Sequence, residues 1–81
     1  MGPDRPNPDP TTERFDWVHT FGRVAPRILD VGCGDGRFLI HSARTNPGTD
    51  HLGIEVLAPL CEQGRRRAEA LGLSNLRFHI G

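Results

Sequence analysis

An α/β fold with a parallel sheet, built in the order strand, helix, strand, helix, strand, is predicted by three observations. A short apolar, partly β-branched run (Ile28, Leu29, Val31) leads directly into Gly32, Gly34 and Gly36. Two more strand-like runs recur downstream, at His51 to Val56 and at Asn75 to Ile80. Helical apolar spacing fills both intervals, and such alternation implies right-handed crossovers between parallel strands, the first half of a doubly wound α/β domain.

Taken in order, residues 1–13 hold Pro3, Pro6, Pro8 and Pro10 with few apolar neighbours, which predicts a disordered proline-rich arm ahead of a partial ligand-binding domain over 14–81. Phe15, Trp17, Val18 and Phe21 gather between Asp16 and Gly22, as in a short helical turn that caps or joins the core. Pro26 keeps that turn out of the first strand, where Ile28, Leu29 and Val31 read as buried on both faces. Arg37 to Arg44 predicts a short helix whose positive N-terminal end faces the ligand. Asn46, Pro47 and Gly48 make a turn, and Leu52, Ile54 and Val56 then share one side of a strand that ends near Glu55.

Pro59 suits a first helical turn, and Leu60, Gly64, Ala68 and Leu71 form an apolar stripe stopped by Gly72. Opposite the stripe, Glu62 and Arg66, and Arg65 and Glu69, stand four apart as ion pairs on a solvated face. Leu76, Phe78 and Ile80 alternate with Arg77 and His79 as a third strand. The sequence stops there, which predicts an N-terminal fragment whose last strand is a poorly covered edge, with Leu52, Ile54, Leu76 and Phe78 incompletely buried.

The chemistry is concentrated around the glycines. Their spacing is G-x-G-x-G, and Arg37 stands where the dinucleotide fingerprint requires its third glycine. Positive φ at these positions would turn the chain sharply and let a ligand approach main-chain amides. Asp30, two residues before the first glycine, would repel a pyrophosphate but suits a ligand carrying an ammonium and a sulfonium, as S-adenosylmethionine does. Glu55, at the end of the next strand, stands where ribose hydroxyls are held in βαβ units.

Composition narrows the rest. The charges balance, ten arginines against ten acids without a lysine, so the chain as a whole has no electrostatic commitment to nucleic acid. Cys33 and Cys61 have neither disulfide-framework nor zinc-site spacing, and His19, His41, His51 and His79 are scattered singly, so no metal is assigned. No apolar run approaches the ~20 residues of a membrane span, and a cytoplasmic protein is expected.

The blocks ILDVGCGDGRFLI (Ile28 to Ile40), LGIEV (Leu52 to Val56) and AEALGLSNLRF (Ala68 to Phe78), with the Asn46–Pro47 turn, resemble the tRNA (guanine-N7-)-methyltransferases. These belong to the Rossmann-like class I S-adenosylmethionine-dependent methyltransferases. The resemblance implies methylation of guanine N7 in tRNA by the parent protein. It also implies a cofactor set of Asp30, Gly32, Cys33, Gly34, Gly36, Glu55 and Val56. The family usually has glutamate where Asp30 stands. Its adenine-contacting loop, Pro-Asp-Pro-Trp segment and tRNA-recognising residues would lie beyond Gly81, so no catalytic residue is carried over. Guanine N7 has a lone pair and no proton to remove, so alignment matters more than a strong base. The competing readings are another class I methyltransferase with a small-molecule or protein substrate, and a non-catalytic nucleotide-binding remnant.

Overall fold

A computed structural model describes residues 15–81; the segment 1–13, expected to be a disordered arm, lies outside the described residues. The elements are α1 (Trp17–Phe21), β1 (Arg27–Val31), α2 (Arg37–Thr45), β2 (Asp50–Glu55), α3 (Ala58–Ala70) and β3 (Leu76–Ile80). All pairings are parallel and the strand order is β1-β2-β3. Leu29 lies opposite Leu52 and Leu52 opposite Arg77, while Ile28, His51 and Leu76 line up in the same way one residue earlier. Because side chains alternate along a strand, these two rows define the two faces of the sheet.

Both crossover helices pack on the face of Ile28, Leu76 and Phe78, where Leu39, Ile40, Ala43, Cys61 and Ala68 complete the core. Adding strands in one direction through right-handed crossovers places successive helices on the same side. The opposite face holds Leu52 and Ile54, also buried. The first helix reaches that face through two arginines, with Arg27 5.4 Å from the Trp17 ring centre and Arg77 5.3 Å from that of Phe21. Asp16 caps α1 by accepting the His19 N–H at 2.9 Å, and left-handed Gly22 ends it. None of its residues is fully buried, so the aromatic cluster caps the sheet without joining the core.

Four expectations are corrected. The strand buried on both faces is β2, every residue of which is buried; β1 lies at an edge, with Leu29 and Val31 exposed. Leu52, Ile54, Leu76 and Phe78 are not poorly covered but form the buried interior, 1%, 3%, 3% and 9% exposed. The buried stripe of α3 is Cys61, Gly64 and Ala68: Gly64 and Ala68 stand as expected, but Cys61 takes the place of Leu60, which is half-buried, and Leu71 is the exposed C-cap beyond the helix. Gly64 is needed there, since a Cβ would lie 2.8 Å from the Phe78 ring and 2.9 Å from the Asp35 carbonyl oxygen. The arginine pairing also differs: Arg65 binds Glu62 at 2.8 Å, while Arg67 turns away to Asp35.

At the opposite end of the sheet, a polar network fixes how the strands begin. The Asn75 side-chain amide donates to the carbonyls of Ala43, Asn46 and Thr49 at 3.0, 3.1 and 3.0 Å. The main-chain carbonyl of Asn75 accepts from the His51 N–H at 2.8 Å and from His51 Nδ1 at 3.2 Å. Because a carbonyl oxygen only accepts, Nδ1 carries a proton, and in the neutral ring Nε2 accepts from the Ser42 hydroxyl, 2.8 Å away. Arg23 clamps buried Asp50 at 2.6 Å and the Pro47 carbonyl at 2.9 Å, locking the turn before β2.

Candidate cofactor site

The sequence-selected residues converge at the C-terminal ends of β1 and β2, the edge at which open α/β sheets bind ligands. Asp30 is half-buried one residue before the end of β1, and among the described residues its carboxylate accepts no hydrogen bond. Gly32, Gly34 and Gly36 all have positive φ, at 78°, 62° and 78°. They do different work. A Cβ on Gly32 or Gly34 would meet nothing within 4 Å, whereas one on Gly36 would sit 2.5 Å from the Phe78 ring. The first two glycines border open space and the third lets the loop close onto the core.

The loop amides are largely spoken for. Gly32 and Cys33 donate to the Ile54 carbonyl at 2.7 and 3.1 Å, and Gly36 donates to the Cys33 carbonyl at 3.1 Å. Gly34 donates to Glu55 Oε1 at 2.8 Å. The amides of Gly32, Cys33, Gly34 and Gly36 are therefore not free to meet a ligand, which corrects the expectation for them: the first three stitch the loop to β2 and the fourth closes a turn within it.

Glu55 sits at the end of β2 with 6% of its surface exposed, and its second oxygen accepts the Leu57 N–H at 2.9 Å. The carboxylate thus ties the glycine loop to the start of α3. The amides of Leu57 and Gly34 hold its carboxyl below the ordinary range, outweighing the opposing effect of burial. A carboxylate has about four acceptor directions, so these two bonds do not saturate it. Just past it Val56 and Leu57 are exposed apolar side chains, 70% and 56% accessible, that form a wall beside the carboxylate.

Cys33 lies half-buried under the loop. Gly53 makes room for it, since a Cβ there would be 2.8 Å from Cys33 Sγ. Burial first, and then the nearby Asp30 carboxylate, push its thiol up to about 11, so it is a neutral spacer and not a nucleophile.

Sequence reasoning missed Asp35. Its Oδ1 accepts the Arg37 N–H at 3.3 Å, and its Oδ2 takes Arg37 Nε at 2.9 Å and Arg67 at 3.2 Å. Burial opposes its ionisation, but the bonds from Arg67 and Arg37 prevail and hold its carboxyl low. The first amide of α2, the N–H of Arg37, is thus taken by the chain's own carboxylate. The signal was a carboxylate between two glycines, facing an arginine two residues on.

A comparison with known proteins fits this geometry. The family described as "Putative methyltransferase" matches residues 24–81, well over half of the chain. The chain belongs to that family. A tRNA (guanine-N(7)-)-methyltransferase of Geobacter metallireducens is 38% identical over 71 residues, which cover 88% of this chain and 34% of the relative. One of Halorhodospira halophila is 49% identical over 57 residues, 70% of this chain and 25% of the relative. The chain therefore spans a quarter to a third of the length of these curated relatives. Among solved structures, a SAM-dependent methyltransferase from Thiobacillus denitrificans, in complex with S-adenosyl-L-homocysteine, superposes with a TM-score of 0.64 at 37% identity. That match covers 78% of this chain and 26% of the other. The βαβαβ unit is the class I methyltransferase fold, and the resemblance read from the three sequence blocks is borne out.

Proposed function

We propose that this chain supplies the S-adenosylmethionine-binding part of a tRNA (guanine-N7-)-methyltransferase acting in the cytoplasm. The observation that carries the cofactor is the loop's own hydrogen bonding. With the amides of Gly32, Cys33, Gly34 and Gly36 consumed internally, the site offers carboxylates and open space above two glycines instead of an anion cradle. Such a site suits a cationic ligand and disfavours a pyrophosphate. When bound, the cofactor supplies a methyl group on a sulfonium, which the guanine N7 lone pair accepts as the carbon–sulfur bond breaks.

The chain's residues serve binding and orientation. Asp30, without a partner among the described residues, is suited to the ammonium end; Glu55 has acceptor directions left for ribose hydroxyls; Val56 offers an apolar surface to the adenine. Gly32 and Gly34 keep the approach clear, while Gly36 and Cys33 shape the loop from below. tRNA as the substrate rests on the names of the relatives.

Calorimetric titration of the chain with S-adenosylhomocysteine and with NAD tests the reading. Binding of the first alone is expected, weakened roughly tenfold or more in Glu55→Ala, as loss of charge-assisted hydrogen bonds requires. Equal affinity for NAD, or an unaffected Glu55→Ala, overturns it.

A further inference from the structure

The outer surface of α2 and α3 carries more positive charge than the neutral total suggests. An open groove of about 660 Å³ lies along it, lined by Arg37, Ile40, His41, Arg44, Thr45 and Arg67. No acid occurs in α2, and the carboxylate that meets these arginines among the described residues is Asp35, shared between Arg37 and Arg67. Arg44 forms no ion pair among the described residues. Three guanidinium groups against one carboxylate leave the groove cationic before His41 is counted. The acids of α3 do not offset this, because Glu62 is paired with Arg65 and Glu69 lines a separate hollow with Arg77.

Placement gives this charge a purpose. The groove starts at Arg37, the first residue after the glycine loop, and reaches Arg44 about 10 Å further along α2 at ~1.5 Å per residue. Its near end therefore adjoins the edge of the sheet where the candidate site lies. Guanidinium groups also match phosphate bidentately, and every cationic side chain in this protein, histidine aside, is arginine.

We infer that this groove holds the phosphate backbone of the RNA substrate, steering it along α2 toward the cofactor loop. The inference rests on the proposed tRNA substrate and adds the surface that receives it. A phosphate there would compete with Asp35 for Arg37 and Arg67, so RNA docking would be felt at the loop between Gly34 and Gly36.

Fluorescence anisotropy of the full chain with unmodified tRNA between 50 and 200 mM salt tests it. Arg44 is exposed and outside the cofactor set, so Arg44→Ala and Arg44→Glu leave S-adenosylhomocysteine affinity unchanged. Arg44→Ala is expected to weaken tRNA binding severalfold at low salt and to reduce the log–log salt slope by about one. Arg66→Ala, on the flank of α3 that faces Pro59 and Gln63, keeps the parental slope. The inference falls if the parent chain binds no tRNA or if both Arg44 variants behave as the parent. It also falls if Arg66→Ala loses as much as Arg44→Ala, or if anionic phospholipid vesicles displace the tRNA. A chain that binds the RNA through Arg44 but not S-adenosylhomocysteine would sink the cofactor reading and leave the groove standing.

Discussion

Replacing Asn75 by alanine should destabilise this domain more than any change at its exposed surface. The side-chain amide satisfies three carbonyls at once, from Ala43, Asn46 and Thr49. Ala43 lies in the last turn of α2, whose carbonyls have no partner within the helix, so Asn75 works as a C-terminal cap delivered from another part of the chain. The residue is 6% exposed, which keeps water from replacing the lost donor. A net hydrogen bond is worth about 0.5–1.5 kcal/mol, and a buried carbonyl left unpaired costs more, so about 2–3 kcal/mol is expected for Asn75→Ala. Total stability for a domain this small is on the order of 5 kcal/mol, so the loss is a large fraction of it.

Urea unfolding followed by circular dichroism measures the effect. With a slope of about 1 kcal/mol per molar urea, the midpoint should fall by about 2 M. Asn75→Asp keeps the size but turns an acceptor with negative charge toward three carbonyl oxygens, so it should cost more than alanine. A midpoint lowered by less than about 0.5 M in Asn75→Ala, or an aspartate variant as stable as the parent, would refute the capping argument.

Two further expectations concern the loop. Glu55 has a depressed folded-state pKa, so its contribution is fully present above the unfolded value of about 4.3 and is lost as pH falls through the folded one. Melting temperature recorded from pH 7 to pH 3 should therefore drop less steeply in Glu55→Gln than in the parent, and parallel curves would show that the carboxylate is not engaged. Cys33, with a thiol near 11, should react with iodoacetamide at pH 8 about two orders of magnitude more slowly than a free cysteine; a rate matching free cysteine would mean that the loop does not cover it.

Much of this was legible because short-range patterns carry it. The strand-to-glycine transition, the positive-φ turn and the alternation of strand and helix each follow from neighbouring residue types, and Glu55 could be placed by counting along a βαβ unit. The errors share a different cause. Ile28, Leu29 and Val31 read as a central strand because composition records apolarity but not which neighbours a strand acquires. In the folded chain β2 takes both partners and β1 has one. On α3 the expected Gly64 and Ala68 are buried, but helical spacing admits Cys61 as well as Leu60 at the head of the stripe, and apolarity alone favours the leucine. Asn75 and His51 read as the polar first residues of two strands. Their importance comes from contacts 24 to 32 residues away in sequence, beyond the reach of any local pattern.

The glycine loop shows why motif and ligand should be argued separately. Glycines at Gly32, Gly34 and Gly36 permit the same positive-φ turn whether the ligand is a phosphate or a cation, so the triplet alone selects neither. The partner of each amide makes the selection. A pyrophosphate needs N–H groups that point outward and lack acceptors, and here Gly34, one of the two loop glycines that border open space, gives its N–H to Glu55. That bond places a full negative charge where a phosphate oxygen would otherwise sit, while Asp35 does the same at the first turn of α2. Asp35 is ion-paired with Arg37 and Arg67, however, so its charge is spent within the chain, and among the described residues the uncompensated carboxylates beside the loop are Asp30, half-buried, and Glu55. On the proposed reading, those two disfavour a phosphate and suit an ammonium and a sulfonium, while the glycines supply the room in which the discrimination operates.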